Sequence, residues 1–201
     1  MRLPFRVIAA TVVAAGIAAC SAGGTATFNP AAPCTADARL PGAYPDLEAL
    51  IPDAFEGRPP TRLDSGRNCT PGSLGLLAQA GFSEVRFAGG LWELDNRSGV
   101  TLAVFAATGL TADTVADFYE AGARLASKTE NVTRTSLGLH GTPASQIDTL
   151  NDESFQTIVV WQAPQPGVVR IVLVGSDVRE TNGMSEHRDR VQRALDAFQR
   201  S

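Results

Sequence analysis

Two pairs of strand-like runs, each closed by a short turn-forming stretch, limit this chain's fold more than any other feature. Residues 155–161 and 168–174 are dense in β-branched and aromatic side chains and flank Ala163-Pro164-Gln165-Pro166-Gly167. Residues 85–94 and 100–107 flank Asn96-Arg97-Ser98-Gly99. Such turn residues join antiparallel neighbours, because a parallel pair needs a crossover of a dozen residues or more. Two further extended segments, 132–139 and 144–149, are expected around His140-Gly141-Thr142-Pro143. Gly89-Gly90 inside the first long run is read as a bulge or bend.

Helical periodicity separates and follows these hairpins. Thr111 caps the strongest candidate, in which Val115, Phe118, Tyr119, Gly122, Leu125 and Ala126 recur three and four apart, with Asp113, Asp117, Glu120 and Arg124 opposite. Residues 185–199 place Val191, Ala194, Leu195 and Phe198 inward and Arg188, Asp189, Arg190, Arg193 and Asp196 toward water. Shorter helices are expected over 45–51, stopped by Pro52, and from Thr70-Pro71 to Gly81. The sum is an α+β domain: an antiparallel β-sheet covered by helices, a single domain over residues 45–201.

The first residues obey a different grammar. Arg2 and Arg6 precede an apolar stretch that ends at Ile17-Ala18-Ala19-Cys20, too short and too quickly followed by Ser21, Gly23 and Gly24 to predict a permanent membrane span. The ending resembles the lipobox of bacterial lipoproteins. The resemblance implies a signal peptide over residues 1–19, cleavage before Cys20, and a diacylglyceryl thioether on its sulfur, often with a further acyl chain on the freed amine. Multiple chains anchor a domain durably, since each buried methylene contributes about 0.8 kcal/mol. The expected location is the extracytoplasmic face of a cell membrane. Residues 20–44, rich in Gly, Ala, Thr and Pro, are read as the lipidated N-terminus and a tether.

Lipidation of Cys20 leaves Cys34 and Cys69 as a pair in an oxidising compartment. A bridge between them would contribute roughly 4 kcal/mol by restricting the unfolded chain. The close spacing of a metal or redox cysteine pair is missing. The order of elements also loosely resembles the Mog1/PsbP-like fold of exported bacterial proteins such as the LpqN group, a resemblance that carries no catalytic residue with it.

Loss of the leader removes Arg2 and Arg6, leaving 15 basic residues against 21 acidic ones and a formal charge of −6. With Lys128 the sole lysine and no basic stripe, nucleic acid is not an expected partner. No G-x-S-x-G elbow, G-x-G-x-x-G or P-loop occurs, so neither a serine hydrolase of that type nor a nucleotide site is expected. The glycines Gly72, Gly75 and Gly81 merely surround a helix. His140 and His187 are read as loop and helix-end histidines in water, with no metal-ligand spacing. Asp148, Asn151, Asp152 and Glu153 lack the order of a calcium loop and read as a solvated hairpin end. Trp92 and Trp161 are expected in the core. No catalytic, cofactor or metal residue is assigned. The expectation is a non-enzymatic module binding an envelope protein or a small-molecule ligand. The alternative is a cell-envelope hydrolase acting through carboxylates among Glu93, Asp95, Asp113 and Asp117.

Overall fold

The structure, a computed structural model, describes residues 28–94, 98–151, 154–178 and 183–199. Cys20 and Asp95 therefore lie outside the described residues, as do Asp152, Glu153, and Asn96 and Arg97 of the first hairpin turn.

Eight strands make one sheet: β1 (Ala38–Leu40), β2 (Arg62–Asn68), β3 (Val85–Glu93), β4 (Gly99–Ala106), β5 (Thr129–Leu139), β6 (Thr142–Asn151), β7 (Ser154–Gln162) and β8 (Val168–Asp177). Their spatial order is β1-β2-β3-β4-β8-β7-β6-β5, and every neighbouring pair is antiparallel. The chain thus builds two four-strand meanders that meet along β4 and β8. Helix α4 (Ala112–Leu125) carries the chain from the centre of the sheet to the far edge, β5. The β5–β6 hairpin turns on His140 and Gly141, both at positive φ (49° and 87°), which suits a two-residue turn between twisted strands.

Helices cover both faces. On one face α1 (Pro45–Glu48) packs against β2 and β3, and α5 (Met184–Gln199) against β8, β4 and β7. On the other, α4 lies over β5 to β8, beside two single turns, α2 (Pro71–Leu74) and α3 (Leu76–Gln79). Successive strand residues point to opposite faces, so Val159 and Trp161 join the α5-side core while Ile158 and Val160 join the α4-side core. Burial on both faces explains why β7 and β8 read as unbroken apolar runs rather than alternating ones. The antiparallel, helix-covered sheet expected from the hairpins is present, with a helical layer on each side.

Several local expectations change. The sheet begins inside the stretch read as a tether: β1 pairs with β2, and the Phe28 ring lies edge-on to Tyr44 at 6.0 Å. Neither β1 nor β2 carries a hydrophobic signal. Their pairing depends on Gly66, where a Cβ would collide with the Ala38 carbonyl. No bulge forms at Gly89-Gly90, since the register of β3 runs unbroken against β2 and β4. Gly90 instead leaves room for the Trp92 ring and Ile51, which would lie within 2.9 Å of a Cβ there. The helix expected from Thr70 to Gly81 is interrupted at Gly75 (φ +50°), although Thr70 does cap its start by accepting from the Ser73 amide. Leu125, read as part of the inward stripe of α4, is 85% exposed at the last position of the helix.

The N-terminal segment is stitched to the domain. Cys34 and Cys69 lie at disulfide distance, their Cα atoms 6.0 Å apart. Asp37 accepts hydrogen bonds from the amides of Cys69 (2.7 Å) and Thr70 (2.9 Å), and from the hydroxyls of Thr70 (2.6 Å) and Ser73 (2.9 Å). Partial burial alone would raise its pKa, but these four donors bring it below the ordinary value. Buried Arg67 donates to the carbonyls of Ala32 (2.6 Å) and Asn29 (3.3 Å) and lies over the Phe28 ring.

Candidate functional site

Helix α5 meets the sheet through Val191, Ala194, Leu195 and Phe198, as its periodicity predicts, and Phe198 packs edge-on to Trp161 at 5.6 Å. The same stripe extends one turn back to His187, four residues before Val191, and takes in Arg190. Both are corrections. His187 is only 2% exposed and Arg190 only 9%, where water-facing positions are expected from residue type. The spacing signal for His187 is present in the sequence, and reading the residue by its polarity obscures it.

Burial of two such groups demands partners. Thr157 on β7 and Ser176 on β8 supply them. The Thr157 hydroxyl lies 2.6 Å from Asp148 Oδ1 and 2.8 Å from His187 Nε2, while His187 Nδ1 lies 2.9 Å from the Ser176 hydroxyl. Arg190 donates to Ser176 Oγ at 2.8 Å and to Glu186 at 3.3 Å. One proton arrangement satisfies every group. Thr157 has a single proton, which goes to the carboxylate, so it accepts from His187 Nε2–H. The unprotonated Nδ1 then accepts from Ser176, which accepts from Arg190. The imidazole is neutral in this arrangement. Burial is the main reason, pulling its pKa down to about 4; Asp148 opposes that shift and Arg190 and Arg188 add to it.

Beside this network α5 stops short of β5 and β6, leaving an open groove of about 600 Å³ between the helix and the outer strands. Strand register orders its floor. Leu150 faces Phe155 in one row, Thr133, Asp148 and Thr157 form the next, and Leu137 lies beyond Gln146. Met184, His187, Val191 and Leu195 form the wall, and exposed Arg188 stands on the rim. A polar band therefore crosses the groove between apolar ends. Its volume falls within the range of about 300–1,000 Å³ typical of small-molecule sites.

The hydroxyls here are poorly set up as nucleophiles. Thr157 directs its proton to Asp148 rather than to the histidine, and Ser176 is 0% exposed and does not line the groove. Asp148, read as part of a solvated hairpin end, is half-buried and belongs to this floor. Two residues whose sequence context carried no functional signal, Thr157 and Gln146, complete it. Gln146 donates to Asp148 Oδ2 at 2.7 Å.

Of the carboxylates of the hydrolase alternative, Asp95 lies outside the described residues, and Glu93, Asp113 and Asp117 do not line this groove. Asp113 and Asp117 are tied to Arg134 of β5 at 3.3 and 2.5 Å, and Glu93 is exposed at the end of β3. Trp92 and Trp161 are 2% and 4% exposed, and the Trp92 indole donates to the Arg58 carbonyl at 2.8 Å. His140 is exposed in its turn. Among the described residues no three His, Cys, Asp or Glu side chains form a metal-holding group, and no helix is long and apolar enough to cross a membrane. No protein-family model matches the chain, and no curated protein matches it.

Proposed function

We propose that this chain is a lipid-anchored, extracytoplasmic binding protein whose α5 groove receives a small-molecule ligand. The groove carries the reading: a concavity of about 600 Å³ with apolar ends, a polar band and a rigid hydrogen-bonded wall. The lipobox-like Ile17-Ala18-Ala19-Cys20 supplies the anchor. Kinship with the Mog1/PsbP-like exported proteins belongs to the same proposal and rests on element order. The arrangement suits an anchored receptor. Phe28 contacts Arg67 of β2, near one edge of the sheet, whereas the groove lies at the opposite edge, β5. Seven strand spacings separate those edges, about 34 Å. The eight steps from Cys20 to Phe28 span at most about 28 Å. The attachment point and the groove thus lie toward opposite edges of the sheet.

Two measurements test the proposal. Acyl labelling in a bacterium producing the full chain is expected to mark it and to lose the mark in Cys20→Ala; unchanged labelling or none at all rejects the anchor. Native mass spectrometry of the full chain is expected to find a small-molecule adduct that Thr133→Trp, which adds bulk on the exposed floor of the groove, removes. A protein that arrives without an adduct and binds none from an extract of its producing cells rejects the groove.

A further inference from the structure

We infer that the groove selects an amine: its ligand carries a protonated nitrogen on an apolar body, and Asp148 is the residue that recognises it. This rests on the groove being a binding site and adds the chemistry of what it binds. The argument begins with the direction of the buried hydrogen bonds. Starting from Arg190, each proton points one way: Arg190 to Ser176, Ser176 to His187 Nδ1, His187 Nε2–H to Thr157, and Thr157 to Asp148. None of these protons is left to face the groove, so the network ends there on the acceptor oxygens of a carboxylate.

That carboxylate has spare capacity. Oδ1 takes one hydrogen bond from Thr157 and Oδ2 one from Gln146, and a carboxylate accepts about four in all. Both donors are neutral, and among the described residues no Lys, Arg or His side chain forms an ion pair with Asp148. A groove carboxylate with open acceptor positions and only neutral donors is complementary to a ligand cation, which adds charge-assisted hydrogen bonds to it. Its immediate neighbours choose the rest of the ligand. Leu150 and Phe155 flank Asp148 on one side, and Leu137, Leu195 and Val191 lie on the other, so the part of the ligand next to the cation meets aliphatic and aromatic side chains, while Asn131 and Gln192 also line the groove. Arg188 is the cation on the rim, but it is exposed and solvent-screened, and an anion drawn to it would still face Asp148.

The test uses three probes with one chain and different heads: octylammonium and octanoate, each below its micelle-forming concentration, and octanol below its solubility limit. They are titrated into the full chain carrying Cys20→Ala, with binding followed by calorimetry and mapped by backbone amide shifts. Octylammonium is expected to bind about tenfold or more tightly than octanol, with octanoate weakest and shifts clustered on β6, β7 and the first half of α5. Asp148→Asn, which keeps an oxygen for Thr157 and removes the charge, is expected to cost about tenfold for the amine and to leave octanol unchanged. Arg188→Gln is expected to change amine affinity less than about twofold. Equal binding of all three heads, with Asp148→Asn silent, overturns the amine and leaves the groove reading standing. Tighter octanoate, lost in Arg188→Gln, overturns it in favour of an anionic ligand. Shifts clustered away from the groove, or no binding of any probe, count against both the amine and the groove.

Discussion

Helices α4 and α5 are both amphipathic, and both carry a charged side that the sequence assigns to water, yet the structure treats those sides differently. On α4 the charges stay near solvent. Asp113 and Asp117 reach Arg134 with side chains 87% and 62% exposed, and Glu120 pairs with Arg124 one turn on at 2.6 Å. On α5 the boundary of the polar side is buried: His187 and Arg190 lie against the sheet and are satisfied by Thr157 and Ser176. The difference comes from the strands beneath. Where α5 crosses β7 and β8, those strands offer hydroxyls at the positions facing the helix, and these can accept what an apolar floor would reject. Similar helix patterns therefore divide into a solvated ionic face and a buried directional network.

The largest expected break in that contrast is His187→Ala. It empties a buried site and leaves the Thr157 and Ser176 hydroxyls without the ring, so a loss of about 3 kcal/mol is expected in urea unfolding of the full chain. A loss below about 1 kcal/mol would place His187 with the surface charges of α4.

Acid should separate the two helices next. Folded His187 stays neutral down to about pH 4, whereas the unfolded chain takes up a proton at this residue near its ordinary value of 6.5. The unfolded state then binds more protons, so this residue's contribution to stability is intact above about pH 6.5, falls as pH drops, and levels off below about 4, by up to about 3 kcal/mol. The difference between unfolding curves of the parent and His187→Gln isolates it. Glu120 behaves otherwise: hydrogen bonding from Arg124 holds its carboxyl below the ordinary value, so its contribution is intact above about pH 4.5 and is lost as pH falls from there through the lowered value. Coincident acid transitions in His187→Gln and Glu120→Gln would erase the distinction.

Smaller effects belong to α4. Arg134→Ala, which frees Asp113, Asp117 and Glu120 from their shared partner, is expected to cost about 1 kcal/mol at low salt and less at high salt. Glu120→Gln is expected to cost about 0.3–0.5 kcal/mol, the ordinary value of a helix ion pair one turn apart. Loss of more than about 2 kcal/mol in either would show that the α4 face is structurally coupled like that of α5.

Legibility followed the same physics. The hairpins β3–β4 and β7–β8 were readable because β-branched and aromatic runs flank turn residues, and both long helices because their apolar positions recur every three to four residues. Strands β1 and β2 were not: Arg-Leu-Asp-Ser-Gly-Arg-Asn pairs through backbone geometry and a close approach at Gly66, and neither shows in hydropathy. Cys34 and Cys69 were legible as the pair left once Cys20 is set aside, and their sulfurs lie at disulfide distance. Asp148 was visible only as one acid among several near a turn, because its value depends on Thr157 and Gln146, one of them nine residues away on the next strand.

By itself, then, the sequence determined the type and order of the long elements, because hydrophobic period and turn chemistry act between near neighbours. The packing of helix against sheet decided what no local pattern contains: that two meanders join along β4 and β8, that a groove opens between α5 and the outer strands β5 and β6, and that His187 falls where strand hydroxyls can hold it. Sites of this kind depend on which residues meet across long stretches of chain, and a partner's burial is set only when the whole sheet is assembled.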